Sequence, residues 1–402
     1  MLSIGKLNAF KKDGLAAQAY HNECVMDVFT DLARALEGGG SMAAVNLLIA
    51  RLERERRHAE WFQARLMRTR LELGLSRADS PDRLPEAARA TYDTAQIETA
   101  RETGERYLED GDILRAWPYF RAIGEHQPVI EAIGNLQPGQ FNEQILSLSF
   151  QERLNPQKAL ELLLANSGIC RALTVFDQYP DPATWEQGLS LITRSLYDEL
   201  EQSLKLAIAR REGSAPESSG GVRGLIAGRE WLFGEYDSYV DASHLFGILR
   251  LALDSSNPET LRLALEMAEY GCCLSATFRN TTPPPFDDFC RDHAVYLRAL
   301  SGRDVDAAIA HFRKKAEDAD PQRAGTFPAE VLVRFLLRLD RPGEAVKVFE
   351  QFLLDRDPSF LTCPDLPELC QRAGDFERLQ KLSQERNDPV GFLQAALARR
   401  PC

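Results

Sequence analysis

The stretch from Ile97 to Ile130 spaces its small, aromatic and helix-ending residues as two packed helices require. Six residues carry this spacing and are called the marker positions of the hairpin: Gly104, Tyr107, Gly111, Ala116, Phe120 and Pro128. Small residues allow close helix approach, and a glycine between the helices permits a tight turn. One such hairpin leaves apolar faces uncovered, so it requires stacked neighbours. The segment therefore predicts a chain built from helical hairpins.

The composition extends this prediction to the whole chain. The 402 residues are rich in Leu, Ala, Glu and Arg, and only 8% are aromatic. Helix formers in this proportion favour helices over strands. The length exceeds one ordinary globular core, so we expect several domains or a linear helical stack. We predict an all-α protein, an α-solenoid of stacked antiparallel helical hairpins.

A pair of long helices is predicted at the start of the chain. The first covers about 7–36, and glycines at 38–40 end it. The second covers about 41–75. It carries apolar residues every seven positions, at Val45, Leu52, Ala59, Leu66 and Leu73. We expect these two helices to form an antiparallel hairpin within residues 1–80.

Asn-Pro or Asp-Pro pairs predict further helix starts. They occur at Asn155-Pro156, Asp181-Pro182, Asn257-Pro258, Asp320-Pro321 and Asp388-Pro389. The side-chain oxygen caps the first turn, and proline at the first helical position loses no hydrogen bond. We expect helical repeats over 81–212, a flexible linker over 213–221, and degenerate repeats over 222–402. In the marked hairpin, the first helix is expected from about Glu86 to Asp110. Pro118 in the second helix predicts a kink or a late helix start.

A weaker version of the hairpin pattern returns late in the chain. Ala308, Ala345 and Leu379 lie 37 and 34 residues apart, and Phe312 and Phe349 follow the two alanines by four positions. These spacings are close to the roughly 34-residue period of one class of helical repeats.

Together these segments resemble the tetratricopeptide-repeat family, over the hairpin 97–130 and two or three degenerate repeats between about 287 and 400. Asp340 stands where that family usually has glycine, and Ser383 replaces an aromatic residue. The resemblance implies a right-handed superhelix whose concave face binds peptides or proteins, without catalysis. Because the family's markers are packing positions, it implies no catalytic, cofactor-binding or metal-binding residues.

Charge and cysteine usage limit the classes of partner and compartment. The formal charge of −12 argues against a nucleic-acid partner. Arginines crowd 51–70, but acidic residues alternate with them, as in Glu53 and Arg57, so a solvated and self-paired helix face is favoured over a basic docking patch. Eight cysteines without framework spacing indicate a reducing compartment. With no signal-like segment, we expect a cytoplasmic protein without a membrane partner.

Two constellations offer a metal-binding alternative. Glu55 and His58 form a Glu-x-x-His turn that Glu23 of the antiparallel first helix could meet, as in the di-iron sites of helical bundles. A complete site needs a second Glu-x-x-His turn or its equivalent, and Glu98, Glu102 or Glu105 would supply only carboxylates.

Asp241 with His244, and Cys290 with His293, would close a zinc shell only if their two helices converge. For all of these residues, structural roles are the favoured interpretation.

Two other features bear on ligand or partner binding. The glycines between 220 and 228 lack the Gly-Lys-Ser/Thr of a phosphate loop. Trp231 and Tyr236 form the aromatic pair with the best prospect of exposure as binding anchors. Exposed apolar residues such as Leu393 and Leu397 would indicate dimerisation.

The sequence thus predicts a non-catalytic scaffold or adaptor that binds a protein or peptide. Its expected surface lies between about Asp110 and Phe352. A metal-binding enzyme or sensor is the first alternative, and a helical regulator of a transcription or signalling partner is the second.

Overall fold

The fold is all-α. The computed structural model describes residues 4–75, 85–178, 183–214, 216, 220–278 and 282–399, with side chains from residue 28 onward except Pro321 and Pro358. Within these ranges there are nineteen α-helices and no β-strand. Contacts group the chain into two compact units, Met1–Ala159 and Leu160–Cys402. The expected regions 1–80, 81–212 and 222–402 stay a prediction.

The first unit contains six helices and the start of a seventh. They are α1 (Ile4–Arg54), α2 (His58–Glu72), α3 (Glu86–Glu109), α4 (Ile113–Ile123), α5 (Gln127–Gly134), α6 (Glu143–Gln151) and α7 (Pro156–Gln178). Helices α1 and α2, α2 and α3, and α3 and α4 pack as consecutive neighbours.

The second unit continues through α7 and twelve further helices. They are α8 (Trp185–Glu212), α9 (Gly221–Ile226), α10 (Ala242–Ala252), α11 (Pro258–Cys273), α12 (Phe289–Leu300), α13 (Val305–Asp318), α14 (Pro321–Ala324), α15 (Phe327–Arg338), α16 (Pro342–Phe352), α17 (Leu366–Arg372), α18 (Phe376–Glu385) and α19 (Pro389–Ala398). Consecutive helices again pack together, as α11 with α12, α15 with α16 and α18 with α19.

The predicted second long helix is wrong, because the chain breaks it in two. Helix α1 leaves helical geometry at Gly40 and ends at Arg54, and α2 begins at His58. The break is a Schellman turn, in which the Arg57 N–H donates to the Leu52 carbonyl at 3.0 Å and Arg56 takes a left-handed φ of 52°. The charged run around 53–57 carries no apolar face to hold a longer helix together.

The marked hairpin matches the prediction closely. Its first helix was expected from about Glu86 to Asp110, and α3 ends one residue earlier, at Glu109. Gly111 makes the turn with φ 76°. Ala116 and Phe120 of α4 are fully buried, and the ring of Phe120 lies on Gly104, where an added Cβ would be 2.5 Å from it. The small residue is therefore required by the ring that covers it.

Of the two outcomes expected at Pro118, the late helix start is wrong, and the kink stays a prediction. Helix α4 begins five residues earlier, at Ile113, and continues past Pro118 to Ile123. The Asp112 side chain accepts a hydrogen bond from the Arg115 N–H at 3.0 Å and so starts the helix upstream of the proline.

The turn that Gly111 makes between α3 and α4 recurs between other helices in both units. After α3, α12, α15, α17 and α18, one residue takes a left-handed φ and the next N–H bonds back to a carbonyl five residues earlier. The left-handed residues are Gly111, Gly302, Asp340, Gly374 and Asn387. Asp340, which departs from the family pattern, therefore occupies a glycine-like conformation.

The late repeat positions are packing residues. Ala308, Phe312, Ala345 and Phe349 lie in one apolar core of the second unit. Ser383, where an aromatic residue was expected, is also buried, beside Leu382 of that core.

Four of the five Asx-Pro pairs start helices as predicted. The side chains of Asn155, Asn257, Asp320 and Asp388 accept backbone hydrogen bonds from their first turns. The pair Asp181-Pro182 lies outside the described residues, as do parts of the expected linker 213–221.

Among the described helices, α7 is long and apolar enough to cross a membrane. A core helix of a soluble protein passes the same test. Its backbone leaves helical geometry at Gly168, with φ 74° and ψ −177°, and Leu163 and Ala172 on either side are buried. We interpret α7 as a core helix.

Candidate functional site

An open apolar groove of about 1170 Å³ lies among α1, α2 and the start of α3 in the first unit. The first part of α1 contributes Leu32 and Leu36. The part after Gly40 contributes Val45 and Leu48. The chain therefore uses its break at Gly40 to supply two of the groove walls.

Each wall is an apolar stripe at helical spacing. The third wall comes from α2, with Leu66, Met67 and Leu71. Along α2 and along each part of α1, successive lining residues are one or three positions apart, which keeps them on one face of an α-helix. All three stripes therefore face the same space.

The groove has a buried floor and exposed lips. Val45, Leu66 and Tyr92 are each less than a tenth exposed. Leu36 and Met67 line the same groove, yet their exposed fractions are 54% and 48%. Large apolar side chains exposed around a groove are typical of interaction sites.

The wall of the groove includes one charged side chain among the residues described. Arg70 is the only charged side chain among the described residues that line it. Its guanidinium lies 5.9 Å from the centre of the Tyr92 ring on α3, a cation–π arrangement that holds it at the groove wall.

Polar contacts join the end of α3 to the start of α2 and to the end of α1. His58 Nε2 donates to Asp110 Oδ2 at 2.8 Å, and the Arg106 guanidinium donates to Glu53 at 2.8 Å. The hydrogen bond from His58 lowers the pKa of Asp110. His58 also lies edge-on to Tyr107, with ring centres 4.9 Å apart.

A buried tryptophan on α2 packs against an arginine of α3. Trp61 of α2 is 2% exposed, and the guanidinium of Arg106 lies 4.2 Å from its ring centre. Trp61 is thus a core residue beneath the hairpin rather than a binding anchor.

The arginine-rich segment is largely self-paired, as the sequence favoured. Arg51 pairs with Glu55, and Arg68 pairs with Glu72. The specific pairing of Glu53 with Arg57 is wrong, because Glu53 pairs with Arg106 while Arg57 pairs with Glu60.

The structure does not bring the first metal constellation together. His58 pairs with Asp110, whereas the carboxylate of Glu55 pairs with Arg51 and has a lowered pKa from that hydrogen bond. The side chain of Glu23 lies outside the described residues. Glu102, a further candidate, pairs with Arg65 at 3.5 Å.

The second constellation also takes structural roles. Asp241 caps α10 through the Ser243 N–H at 2.7 Å, and His244 is half-buried one turn into that helix. His293 is buried and donates from Nδ1 to the Phe289 carbonyl at 2.7 Å, and burial lowers its pKa to about 4. Across the described residues, no three His, Cys, Asp or Glu side chains are grouped to hold a metal ion.

The described cysteines are free thiols. Cys290 is buried, and burial raises the pKa of its thiol to about 12. Cys363, just before α17, and Cys370, on α17, likewise have pKa values raised by burial to about 11. Thiols with raised pKa values are poor nucleophiles at neutral pH, which agrees with packing roles.

The glycine-rich segment at 220–228 does not form an anion site. The buried carboxylate of Glu266 accepts the hydroxyl of Tyr197 at 2.7 Å and faces the Arg223 N–H at the start of α9. Gly221 is needed because a Cβ there would collide with both side chains. The chain's own carboxylate thus occupies the place where a phosphate would bind.

The two aromatic residues expected as binding anchors differ in exposure. Tyr236 is 75% exposed. Trp231 is half-buried under the guanidinium of Arg211, at 4.6 Å from its ring centre.

The groove was not predicted from the sequence. Its signal was present, since Val45 and Leu66 belong to the seven-residue pattern and Leu48 lies between them. A single uninterrupted helix over 41–75 cannot fold Val45 back toward Leu66, so the groove was hidden by the missed turn at 55–57.

Comparison with known proteins does not place the chain in a family. No protein-family model matches it, and no curated protein matches it. One solved structure that matches is described as "Circular tandem repeat protein with novel repeat topology and enhanced subunit contact surfaces". It shares 14% identity, with 94% of this chain and 82% of that chain covered, at a TM-score of 0.15. A TM-score this low carries no argument about fold or function.

Proposed function

We propose that this chain is a non-catalytic scaffold or adaptor that docks a polypeptide partner in the groove of α1, α2 and α3. One observation carries the proposal: a buried apolar floor bounded by the exposed side chains of Leu36 and Met67. Covering those side chains removes apolar surface from water, which favours association.

The composition of the groove supports binding rather than reaction. Its volume of about 1170 Å³ is above the range of roughly 300–1,000 Å³ usual for small-molecule pockets. Among the described lining residues the charged side chain is Arg70, and a guanidinium group, which has hydrogen-bond donors and no acceptor, is not a general base.

The proposal includes a tetratricopeptide-like stacking of the helical hairpins. It is supported by the turn that recurs after α3, α12, α15, α17 and α18. The buried positions Ala308, Phe312, Ala345 and Phe349 also support it, since they are the family's packing positions. A stack of this kind offers an extended binding surface beyond the groove. The surface expected from the sequence between about Asp110 and Phe352 stays a prediction.

We place this interaction in the cytoplasm, with a protein or peptide as partner and neither a nucleic acid nor a membrane as target. The charge of −12 supports the exclusion of nucleic acid. The free thiols among the described cysteines support a reducing compartment.

The proposal is tested with a displayed library of peptides selected against the purified chain. We expect peptides to be enriched on the wild-type chain. A Leu36→Glu/Met67→Glu double variant should weaken their binding by at least about tenfold, because each change puts a charge on an apolar lip.

Leu47→Glu is the matched control, since Leu47 is 40% exposed on the same helix and does not line the groove. It should leave binding unchanged. Enriched peptides that bind the double variant as well as the wild type would place the docking site elsewhere, and a selection without enrichment would contradict the proposal.

A further inference from the structure

Gly40 gives α1 a bend that only glycine adopts readily. It has φ 75° and ψ −176°, and it is the residue at which α1 leaves helical geometry. Residues with a side chain rarely take these backbone angles. An added Cβ at Gly40 would meet nothing within 4 Å. The backbone conformation of the bend, rather than packing around it, therefore requires glycine here.

The two parts of α1 on either side of Gly40 differ in how firmly they are held. Residues 28–39, called the arm from here on, include no buried side chain. After the bend, Val45 and Leu52 are buried, and Leu52 belongs to a core cluster with Trp61 of α2. Segments with few buried contacts separate from a fold at low free energy. The arm is therefore the part of α1 that moves most easily while the rest stays in place.

Helical angles at Gly40 would join the arm and the rest of α1 into one continuous helix. The residues on both sides of the bend are already helical, so a change at a single residue is enough. The arm contributes Leu32, Ala33 and Leu36 to the groove. Straightening α1 would carry this wall away from α2. The bend thus separates two discrete arrangements, one with the wall in place and one without it.

A second glycine with nearly the same backbone angles has both of its sides anchored. Gly168 of α7 has φ 74° and ψ −177°. Leu163 before it and Ala172 after it are buried. Packing on both sides holds the bend in α7, whereas the bend in α1 is held on one side.

We propose that Gly40 is a hinge and that the arm is a movable wall of the groove, which closes and opens as α1 exchanges between its bent and straight forms. A partner that contacts the arm binds the bent form and shifts the population towards it. The effect on binding rests on the proposed function, whereas the motion itself requires no partner.

The first test measures the motion in the purified chain without a partner. Spin labels on unnatural amino acids at the exposed positions of Thr30 and Leu47 leave the eight cysteines in place. In a continuous helix this interval spans about 25 Å, and a bend at Gly40 makes it shorter. We expect double electron–electron resonance to show both distances in the wild-type chain, and a peptide selected from the displayed library to increase the share of the shorter one.

The second test changes the hinge. Gly40→Ala should leave only the longer distance, because alanine disfavours the bent backbone and favours helix. It should also weaken the binding of the selected peptides by at least about tenfold. Gly38→Ala is the matched control, since Gly38 has no positive φ and an added Cβ there would meet nothing within 4 Å. It should keep both distances and the binding, and thermal melts show whether each variant is folded.

The outcomes separate the hinge from the function of the groove. A single distance in the wild type, unchanged by a selected peptide, would overturn the hinge and leave the groove as a docking site, and this result needs no variant. Both distances in a folded Gly40→Ala chain would overturn the role of Gly40. Full binding by a straight Gly40→Ala chain would overturn the role of the arm as a wall. If the selection yields no peptide, the proposed function fails, while two distances in the unbound chain would still support the hinge.

Discussion

At the scale of single residues, the marked hairpin depends on one close contact between a glycine and an aromatic ring. Gly104 is in the interior of α3, where glycine costs about 1 kcal/mol relative to alanine. The fully buried Phe120 uses the space that a Cβ would fill. Packing therefore outweighs helix propensity at this position.

Gly104→Ala should destabilise the first unit by about 1–3 kcal/mol. The steric overlap of the new methyl group with the Phe120 ring costs more free energy than the better helix propensity of alanine provides. The change is measured by urea unfolding. Gly139→Ala is the matched control, since the space around Gly139 is open, and its effect should stay within about 0.5 kcal/mol. Equal effects of the two substitutions would show that the Phe120 contact is unimportant.

The link between α2 and α3 should make stability depend on pH. The hydrogen bond from His58 lowers the pKa of Asp110 in the folded chain below its ordinary value of about 3.9. The unfolded chain therefore binds a proton more readily, and the stabilisation is complete above pH 4–5 or so and lost as the pH falls through the folded value.

Asp110→Asn should accordingly be less stable than the wild type at pH 7, and the difference should shrink below about pH 4. Thermal unfolding of both proteins across this range measures it. A difference that is constant from pH 7 to pH 3 would mean that the carboxylate contributes through packing alone.

At the scale of elements, the recurring turn uses different residues in the same conformation. Asp340 after α15 has φ 56°, and Gly374 after α17 has φ 68°. A side chain in the left-handed region costs energy that glycine avoids.

Asp340→Gly should therefore stabilise the second unit by about 0.5–1 kcal/mol, after the loss of chain entropy is included. Gly374→Ala should destabilise it by about 1 kcal/mol, since nothing but backbone strain opposes the new methyl group. Both are measured by urea unfolding. Changes of the same sign would contradict the role of the turn.

The same elements show how far local sequence determined the fold. The start of α3, its turn at Gly111 and the Asx-Pro starts at Asn257 and Asp388 were predictable, because capping and turns depend on a few adjacent residues. The turn at Arg56 was not, since arginine carries no local preference for a left-handed conformation.

At the scale of the whole molecule, the candidate site escaped the sequence analysis because it depends on three helices that meet only after folding. Leu36 and Met67 are far apart in the chain, and each alone resembles an ordinary surface residue. By contrast, the burial of Ala308 with Phe312, and of Ala345 with Phe349, followed from four-residue spacing within a single helix. Packing within hairpins was thus predictable, and a groove among helices was not.

The recurring turn also affects how a chain like this can change in length. Its hydrogen bonds join residues at most five positions apart, as from the Arg341 N–H to the Leu336 carbonyl. The instruction to end one helix and begin the next is therefore complete within each turn. A hairpin that is duplicated or deleted carries its own turn residues with it. The chain can therefore change in length by whole hairpins without sequence changes in the turns that remain.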